Sequence, residues 1–404
     1  MTSKKSNIAW PCVLPWTGFS NDPDGRVRPC CLYKEHIKDS DGNDMYVQRT
    51  TVKEIFASDY MQDLRSQFRN GQKPKGCETC IKDETNGVQS KRMTYELIQA
   101  NQNNDINYDE EPGLPVEYQM ILSNACNLKC RSCTPSHSNL WQAEHKALFG
   151  DTGYKMPHDQ PGHKDSVLWK DRAEWMQYVE RLEIVGGEPF YIKQWQELWG
   201  ELVEKGYSKN VVMDMSTNSV LYGGEILEKY IPYFKRIGIG LSIDGIGKTY
   251  NYLRHPGDWE VTKGTILKYN ELAERYPNNF SLNYTHTISW VNSWELPEFH
   301  KWAETHTPNF GIWNNIVHYP RHMSLVMLPL SAKQKIKDKW DNTDFGKHKS
   351  NIEGIVNFMF SEQPSDKEIL NEYKRFLVHD KFRKESIFDI IPLELKDDLY
   401  RFFG

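Results

Sequence analysis

Eight cysteines lie in two groups, and none follows Cys133. Cys126, Cys130 and Cys133 stand in the run Cys-Asn-Leu-Lys-Cys-Arg-Ser-Cys, a CxxxCxxC spacing. Three thiolates on one short loop can hold three irons of a cubane, and such clusters normally take four cysteines. A missing fourth ligand leaves one iron open to an outside molecule. The rival chemistry is zinc, completed by His137 or His145, but zinc loops favour CxxC pairs.

Cys12, Cys30, Cys31, Cys77 and Cys80 form the other group. Cys77 and Cys80 have the CxxC spacing that zinc accepts, and four ligands are at hand among the five. Asp24-Gly25 signals a tight hairpin, so Thr17–Ser20 and Arg26–Pro29 are predicted strands. Residues 51–69 show helical spacing at Ile55, Tyr60, Met61, Leu64 and Phe68. A hairpin and one helix bury little apolar surface, so a metal clip suits this unit. Adjacent side chains on a strand point to opposite faces, which separates Cys30 from Cys31.

Further polar residues gather at the ends of predicted strands. Residues 116–122 are an apolar extended run leading into the three-cysteine loop. Residues 181–185 end in Gly186-Gly187-Glu188-Pro189, where the glycines allow close backbone approach and Glu188 can accept from an ammonium. In residues 210–217 a period of two puts Asp214, Ser216 and Asn218 on one face. Ser216 and Asn218 could instead cap the following helix. Residues 236–244 end in Ser242-Ile243-Asp244-Gly245, followed by Tyr252-Leu253-Arg254-His255-Pro256. Two more strands are predicted at 280–289 and 310–319. Amphipathic stretches at 136–148, 195–204, 225–234, 261–275 and 293–305 separate them, giving parallel βα units. Asn124, Asn283, Thr285, His286, Asn314, Asn315 and His318 complete the pool of polar residues near these ends.

The CxxxCxxC loop, the Gly-Gly-Glu-Pro motif and the Ser-Ile-Asp-Gly…Arg segment together resemble the radical SAM superfamily over roughly residues 8–320. The resemblance implies an α/β fold: a partial (β/α)6 barrel with a small N-terminal cluster-binding module and a helical C-terminal extension. It implies that Cys126, Cys130 and Cys133 hold a [4Fe–4S] cluster whose open iron takes S-adenosylmethionine, cleaved reductively to a 5′-deoxyadenosyl radical. Gly186, Gly187 and Glu188 would then meet the methionyl amino group. Ser216 and Asn218 would meet the ribose and carboxylate, and Ser242 and Arg254 the carboxylate, although a surface ion pair also accounts for Arg254. The family usually carries an aromatic residue before the third cysteine; this chain has Ser132.

The first cysteine group resembles the twitch and SPASM-type modules that hold an auxiliary [4Fe–4S] cluster in such enzymes. Gly25 and Cys30 match their Gly-x4-Cys pattern, so the implied ligands are Cys12, Cys30, Cys77 and Cys80, with Cys31 left over. These modules usually follow the barrel; here the module precedes it. The resemblance thus implies two clusters, an external electron donor such as flavodoxin or ferredoxin, and net oxidation of a peptide or small polar substrate. A redox-neutral radical reaction (an epimerase or a former of C–C or C–S bonds) is the alternative within the family, and a non-catalytic double zinc-binding interaction protein the alternative outside it.

Composition bounds the rest. The 50 basic and 55 acidic residues among 404 make no broad electrostatic case for nucleic acid. The N-terminus lacks the apolar stretch of a secretory signal and no run reaches transmembrane length, so a cytoplasmic location is expected. There, clustered cysteines are more often metal ligands than disulfides. The expected division is a module over 1–98, a polar linker over 99–113, the barrel over 114–328 and a helical extension over 329–404, with periodic segments at 332–340, 351–360 and 366–383.

Overall fold

The computed structural model describes residues 8–101, 106–150 and 157–403. Its sheet comprises β1 (Gly18–Asn21), β2 (Val27–Arg28), β3 (Glu117–Met120), β4 (Arg181–Ile184), β5 (Val212–Thr217), β6 (Arg236–Ser242), β7 (Phe280–Ile288) and β8 (Gly311–Ile316). The order is β2-β1-β3-β4-β5-β6-β7-β8. Neighbours from β1–β3 to β7–β8 are parallel, and β1–β2 is the antiparallel hairpin. The six strands β3–β8 are the partial barrel implied by the resemblance. Its N-terminal hairpin does more than expected, because β1 extends the barrel sheet alongside β3.

The helices that matter are α1 (Val52–Phe56), α2 (Asp59–Arg69), α3 (Glu78–Thr85), α4 (Lys91–Asn101), α5 (Asn139–Phe149), α6 (Lys193–Glu204), α7 (Gly247–Leu253) and α8 (Trp259–Arg275). Four more complete the set: α9 (Leu296–His306), α10 (Leu330–Asp341), α11 (Lys349–Phe360) and α12 (Asp366–Arg383). Residues 51–69 hold two helices where one was expected. Thr51 and Glu54 form a capping box for α1, and Ser58 caps α2 by accepting from Met61 N. Residues 225–234 are two short turns, Gly224–Leu227 and Ile231–Tyr233, since Pro232 supplies no helical N–H.

Strand alternation sorts the side chains. Leu182, Ile184, Met213, Met215, Ile237, Ile239 and Tyr284 pack outward in one core with Trp195, Trp199, Ile266, Tyr269 and Phe299 of the surrounding helices. The opposite, inward positions are polar or glycine. Glu183, Asp214, Gly238 and Ser281 share one register level; Ser216, Gly240 and Asn283 stand above it; Ser242, Thr285 and Trp313 stand above those. Core volume is thus outside the barrel and polarity inside it.

The module spans the gap between the barrel's two edges. Its β1 pairs with β3, while α3 reaches the far side: Lys82 meets Glu362 at 3.1 Å and Asp83 lies 3.5 Å from His318, just past β8. Helix α4 runs to Asn101, inside the expected linker, and residues 102–105 of that segment lie outside the described residues. Farther on, Glu111 is tied to Arg65 and Arg69. The C-terminal segments from Leu325 on build a second apolar cluster, joined by Tyr252, Leu253 and Trp290.

Candidate functional site

The loop bearing Cys126, Cys130 and Cys133 leaves β3 and enters α5. It is held from several sides: Lys129 N donates to His255 O and Arg131 N to Leu253 O, each at 2.8 Å. Trp141 Nε1 donates to Cys130 O at 2.8 Å, and Cys126 N to Asn139 Oδ1 at 3.1 Å. Burial pushes Cys130 up to about 11 and Cys133, aided by its neighbour Cys130, up to about 12. Thiols that resist ionisation this strongly by themselves become thiolates when a metal takes the proton's place.

Gly186 and Gly187 bring the second motif against this loop. Both have positive φ, 80° and 59°, and a Cβ on Gly187 would stand 2.5 Å from Ala125 O. Gly187 N donates to His137 O and Glu188 N to Ala125 O at 2.8 Å. Glu188 is fully buried and accepts from Thr217 Oγ1 at 2.8 Å and Asn218 N at 2.9 Å. Burial pushes its carboxyl up to about 7 despite those hydrogen bonds. Asn218 closes the arrangement, its Nδ2 lying 2.6 Å from Asn127 Oδ1 and 3.8 Å from Cys126 Sγ.

Arg254 is buried and paired with Asp244, Nε to Oδ2 at 2.8 Å. Burial works against the charge, but the Asp244 carboxylate holds this guanidinium above its ordinary range. It is therefore no surface ion pair. Ser216 lies one level below Asn218 on the inner wall. There a Cβ on Gly240 would meet Thr285 Oγ1 at 2.6 Å and Ser216 Oγ at 3.5 Å. Ser242 sits level with Thr285 and Trp313.

The donor set fits the implied groups. Three thiols on one loop match a cluster with an open iron, and a buried carboxylate that forms no salt bridge among the described residues matches an ammonium. Asp214, Asn283 and Thr285 of the wider pool face inward, with Asp214 held by Arg181 and Arg236. His286 does not face inward: it stacks on Phe299 behind the sheet and meets Ile243 O through Nδ1. Asn314 likewise faces His300 of α9.

Cys12, Cys30, Cys77 and Cys80 line one pocket with Trp10, Leu14, Leu32, Tyr33, Lys91 and Arg92. Cys30 follows β2, Cys77 and Cys80 open α3, and Cys12 precedes the turn Leu14–Thr17, so the hairpin and α3 bring distant cysteines together. Burial raises all four thiols, Cys30 to about 12. Cys31 is outside the lining. Lys91 and Arg92 bring two cations to a place that four thiolates would make strongly negative. Among the described residues, no three or more His, Cys, Asp or Glu side chains are gathered tightly enough to hold a single metal ion.

Sequence reasoning missed three side chains. Lys91 Nζ and Tyr95 OH, both on α4, each lie 3.1 Å from Glu183 Oε2 inside the barrel. Inward placement of Glu183 was readable from strand alternation, but nothing in the sequence tied α4 to it. The third is Asp244, whose partner Arg254 is ten residues away.

Residues 12–81 match a family model described as SPASM, an iron–sulfur cluster-binding domain. This bears out the resemblance of the first cysteine group to a SPASM-type iron–sulfur module. No curated protein matches the sequence. Among solved structures, the chain is similar to anSMEcpe with bound AdoMet and Cp18Cys peptide at 18% identity and a TM-score of 0.36, covering 55% of this chain and 57% of that one. It is similar to Streptococcus suis SuiB bound to S-adenosylmethionine at 16% identity and a TM-score of 0.28, covering 76% and 75%. The chain spans little more than half of anSMEcpe. Likenesses this distant leave the reading of the site to the chain's own residues. No helix among those described is long and apolar enough to cross a membrane.

Proposed function

We propose that this chain is a radical SAM oxidoreductase that acts on a peptide or small polar substrate and passes an electron to an auxiliary cluster. The observation that carries it is Glu188: buried and, among the described residues, without a salt bridge, it shares Asn218 with Cys126. When bound, the cluster and S-adenosylmethionine would supply a 5′-deoxyadenosyl radical able to abstract a substrate hydrogen.

The chain's own contribution is placement. Cys126, Cys130 and Cys133 would hold the cluster and would leave one iron without a protein ligand. Glu188 takes the cofactor's ammonium, the backbone of Gly186 and Gly187 shapes the approach, and Arg254 with Ser242 receives its carboxylate. Asn218 and Ser216 meet the ribose side. Glycines at 238 and 240 let Asp214 and Thr285 pack across the inner face, where Ser216, Asn283, Thr285 and Trp313 offer a polar wall with one aromatic face. That wall supports a polar substrate or a polar peptide side chain over an apolar one.

Cys12, Cys30, Cys77 and Cys80 would ligate the auxiliary cluster fully, which suits electron acceptance more than substrate binding. An external donor such as flavodoxin or ferredoxin would supply the first electron, and a reducing cytoplasm suits the eight thiols. We assign the module to 1–98, the linker to 99–113, the barrel to 114–328 and the extension to 329–404.

Anaerobic reconstitution tests this reading. About eight irons per chain are expected for two cubanes, with release of 5′-deoxyadenosine on reduction. Bound zinc with no cleavage of S-adenosylmethionine would leave the double zinc-binding protein as the better account.

A further inference from the structure

We propose that Lys91 sets the reduction potential of the auxiliary cluster and transmits to it, through Glu183, the charge state of the barrel interior. The inference rests on the reading of Cys12, Cys30, Cys77 and Cys80 as cluster ligands.

Lys91 is the one residue of the cysteine pocket whose ionic partner belongs to the barrel. Its side chain lines the pocket together with the four cysteines. Its Nζ pairs with Glu183 Oε2 at 3.1 Å, and the Lys91 side chain is only 14% exposed, so solvent screens it little. Tyr95, one turn along α4, donates to the same carboxylate oxygen at 3.1 Å and holds it in place. Glu183 faces inward on β4, level with Asp214 and three residues before Gly186.

Arg92 lines the same pocket but does not connect it to anything beyond the module. Its guanidinium is bidentate to Glu84, at 2.9 and 3.0 Å, and donates to Pro11 O at 2.7 Å. That cation is matched by an anion within the module itself. Lys91 is matched by an anion that a substrate in the barrel can approach from the other side.

Cluster potentials depend on net charge, on hydrogen bonds to sulfur and on exposure. A buried ammonium beside the thiolates favours the reduced, more negative cluster. Glu183 offsets part of that charge. Removing Lys91 must therefore lower the potential, and neutralising Glu183 must raise it. A substrate group that donates to Glu183 or displaces it from Lys91 acts in the second direction, making the auxiliary cluster a better electron acceptor when the barrel is filled.

The test is an anaerobic potentiometric titration of the full-length reconstituted protein, followed by electron paramagnetic resonance. Auxiliary signals are those that persist in the Cys126→Ala, Cys130→Ala, Cys133→Ala variant. At fixed potential, Lys91→Met should shift the auxiliary cluster's reduced-to-oxidised ratio at least tenfold toward oxidised, 59 mV for one electron. Glu183→Gln should shift it toward reduced, and Lys91→Arg should stay near wild type. Shifts of the same sign in Lys91→Met and Glu183→Gln, or none in Glu183→Gln at full iron content, overturn the inference. A merely structural role for Lys91 would not give opposite signs. Should no iron bind at Cys12, Cys30, Cys77 and Cys80 in the wild type, the cluster reading falls, and the inference with it.

Discussion

Arg254 and Asp244 form a buried ion pair, Nε to Oδ2 at 2.8 Å, with side chains 11% and 5% exposed. Asp244 is itself fixed, since its Oδ1 accepts from Thr287 N at 3.0 Å and its carbonyl from Asn292 Nδ2 at 2.9 Å. The guanidinium is thus aimed at the cysteine loop by a carboxylate that cannot follow it if it moves. Asp244→Ala leaves a buried cation unmatched, and such losses cost about 3–5 kcal/mol. Urea unfolding should show that loss. Isothermal titration with S-adenosylmethionine should show weaker binding in Arg254→Met.

Glu188 predicts a pH dependence of cofactor affinity. Burial raises its carboxyl to about 7, so below that pH it is largely protonated and must lose a proton to meet an ammonium. Affinity for S-adenosylmethionine should fall as pH drops below about 7, approaching tenfold per unit by simple linkage. The same shift makes stability without cofactor decline between about pH 4.5 and 7, where the folded state holds more protons than the unfolded one. Glu188→Gln should bind weakly and flatten the affinity profile. A wild-type profile flat from pH 6 to 8 would show that Glu188 does not carry the ammonium.

Much of this site was legible because the signals are local. CxxxCxxC and Gly-Gly-Glu-Pro are short runs, and strand alternation alone places Asp214 and Ser216 inward. What was hidden depends on contacts between distant segments. Strand β1 joins β3 across about a hundred residues, and α4 enters the barrel to meet Glu183 across 92. His286 shows the reverse failure. Its position near a strand end marked it as polar and available, yet alternation puts it behind the sheet against Phe299.

Iron content should separate the two cysteine groups. The Cys126→Ala, Cys130→Ala, Cys133→Ala variant should keep about half the iron, one cubane of two, and cleave no S-adenosylmethionine. Within the module, Cys30 lines the pocket and Cys31 does not. Cys30→Ser should therefore lose or destabilise the auxiliary cluster, while Cys31→Ser keeps its iron. Equal iron loss in both single variants would remove the distinction between them.

The C-terminal helix predicts a different loss. Glu144 of α5 sits among three side chains: Lys129 Nζ at 2.7 Å, Arg383 Nε at 2.8 Å and His379 Nδ1 at 3.0 Å. Burial would raise its carboxyl, but these partners hold it down to about 2. Arg383 also donates to Lys129 O at 2.9 Å, and Arg131 meets Asp380 and Glu385 at 2.6 Å each, so α12 and the residues after it clamp the cysteine loop. Because the folded value lies below the unfolded one, this stabilisation is present above about pH 4.5 and fades as pH falls toward 2. Glu144→Ala should cost about 3–5 kcal/mol at pH 7, as buried pairs do when one partner is removed, with the difference from wild type shrinking at pH 3. Arg383→Met removes the loop contact while leaving Lys129 and His379 on Glu144. If α12 guards the loop, this variant should release iron to a chelator faster from the Cys126, Cys130 and Cys133 site and unchanged from the module, as read by the loss of each cluster's spectroscopic signal.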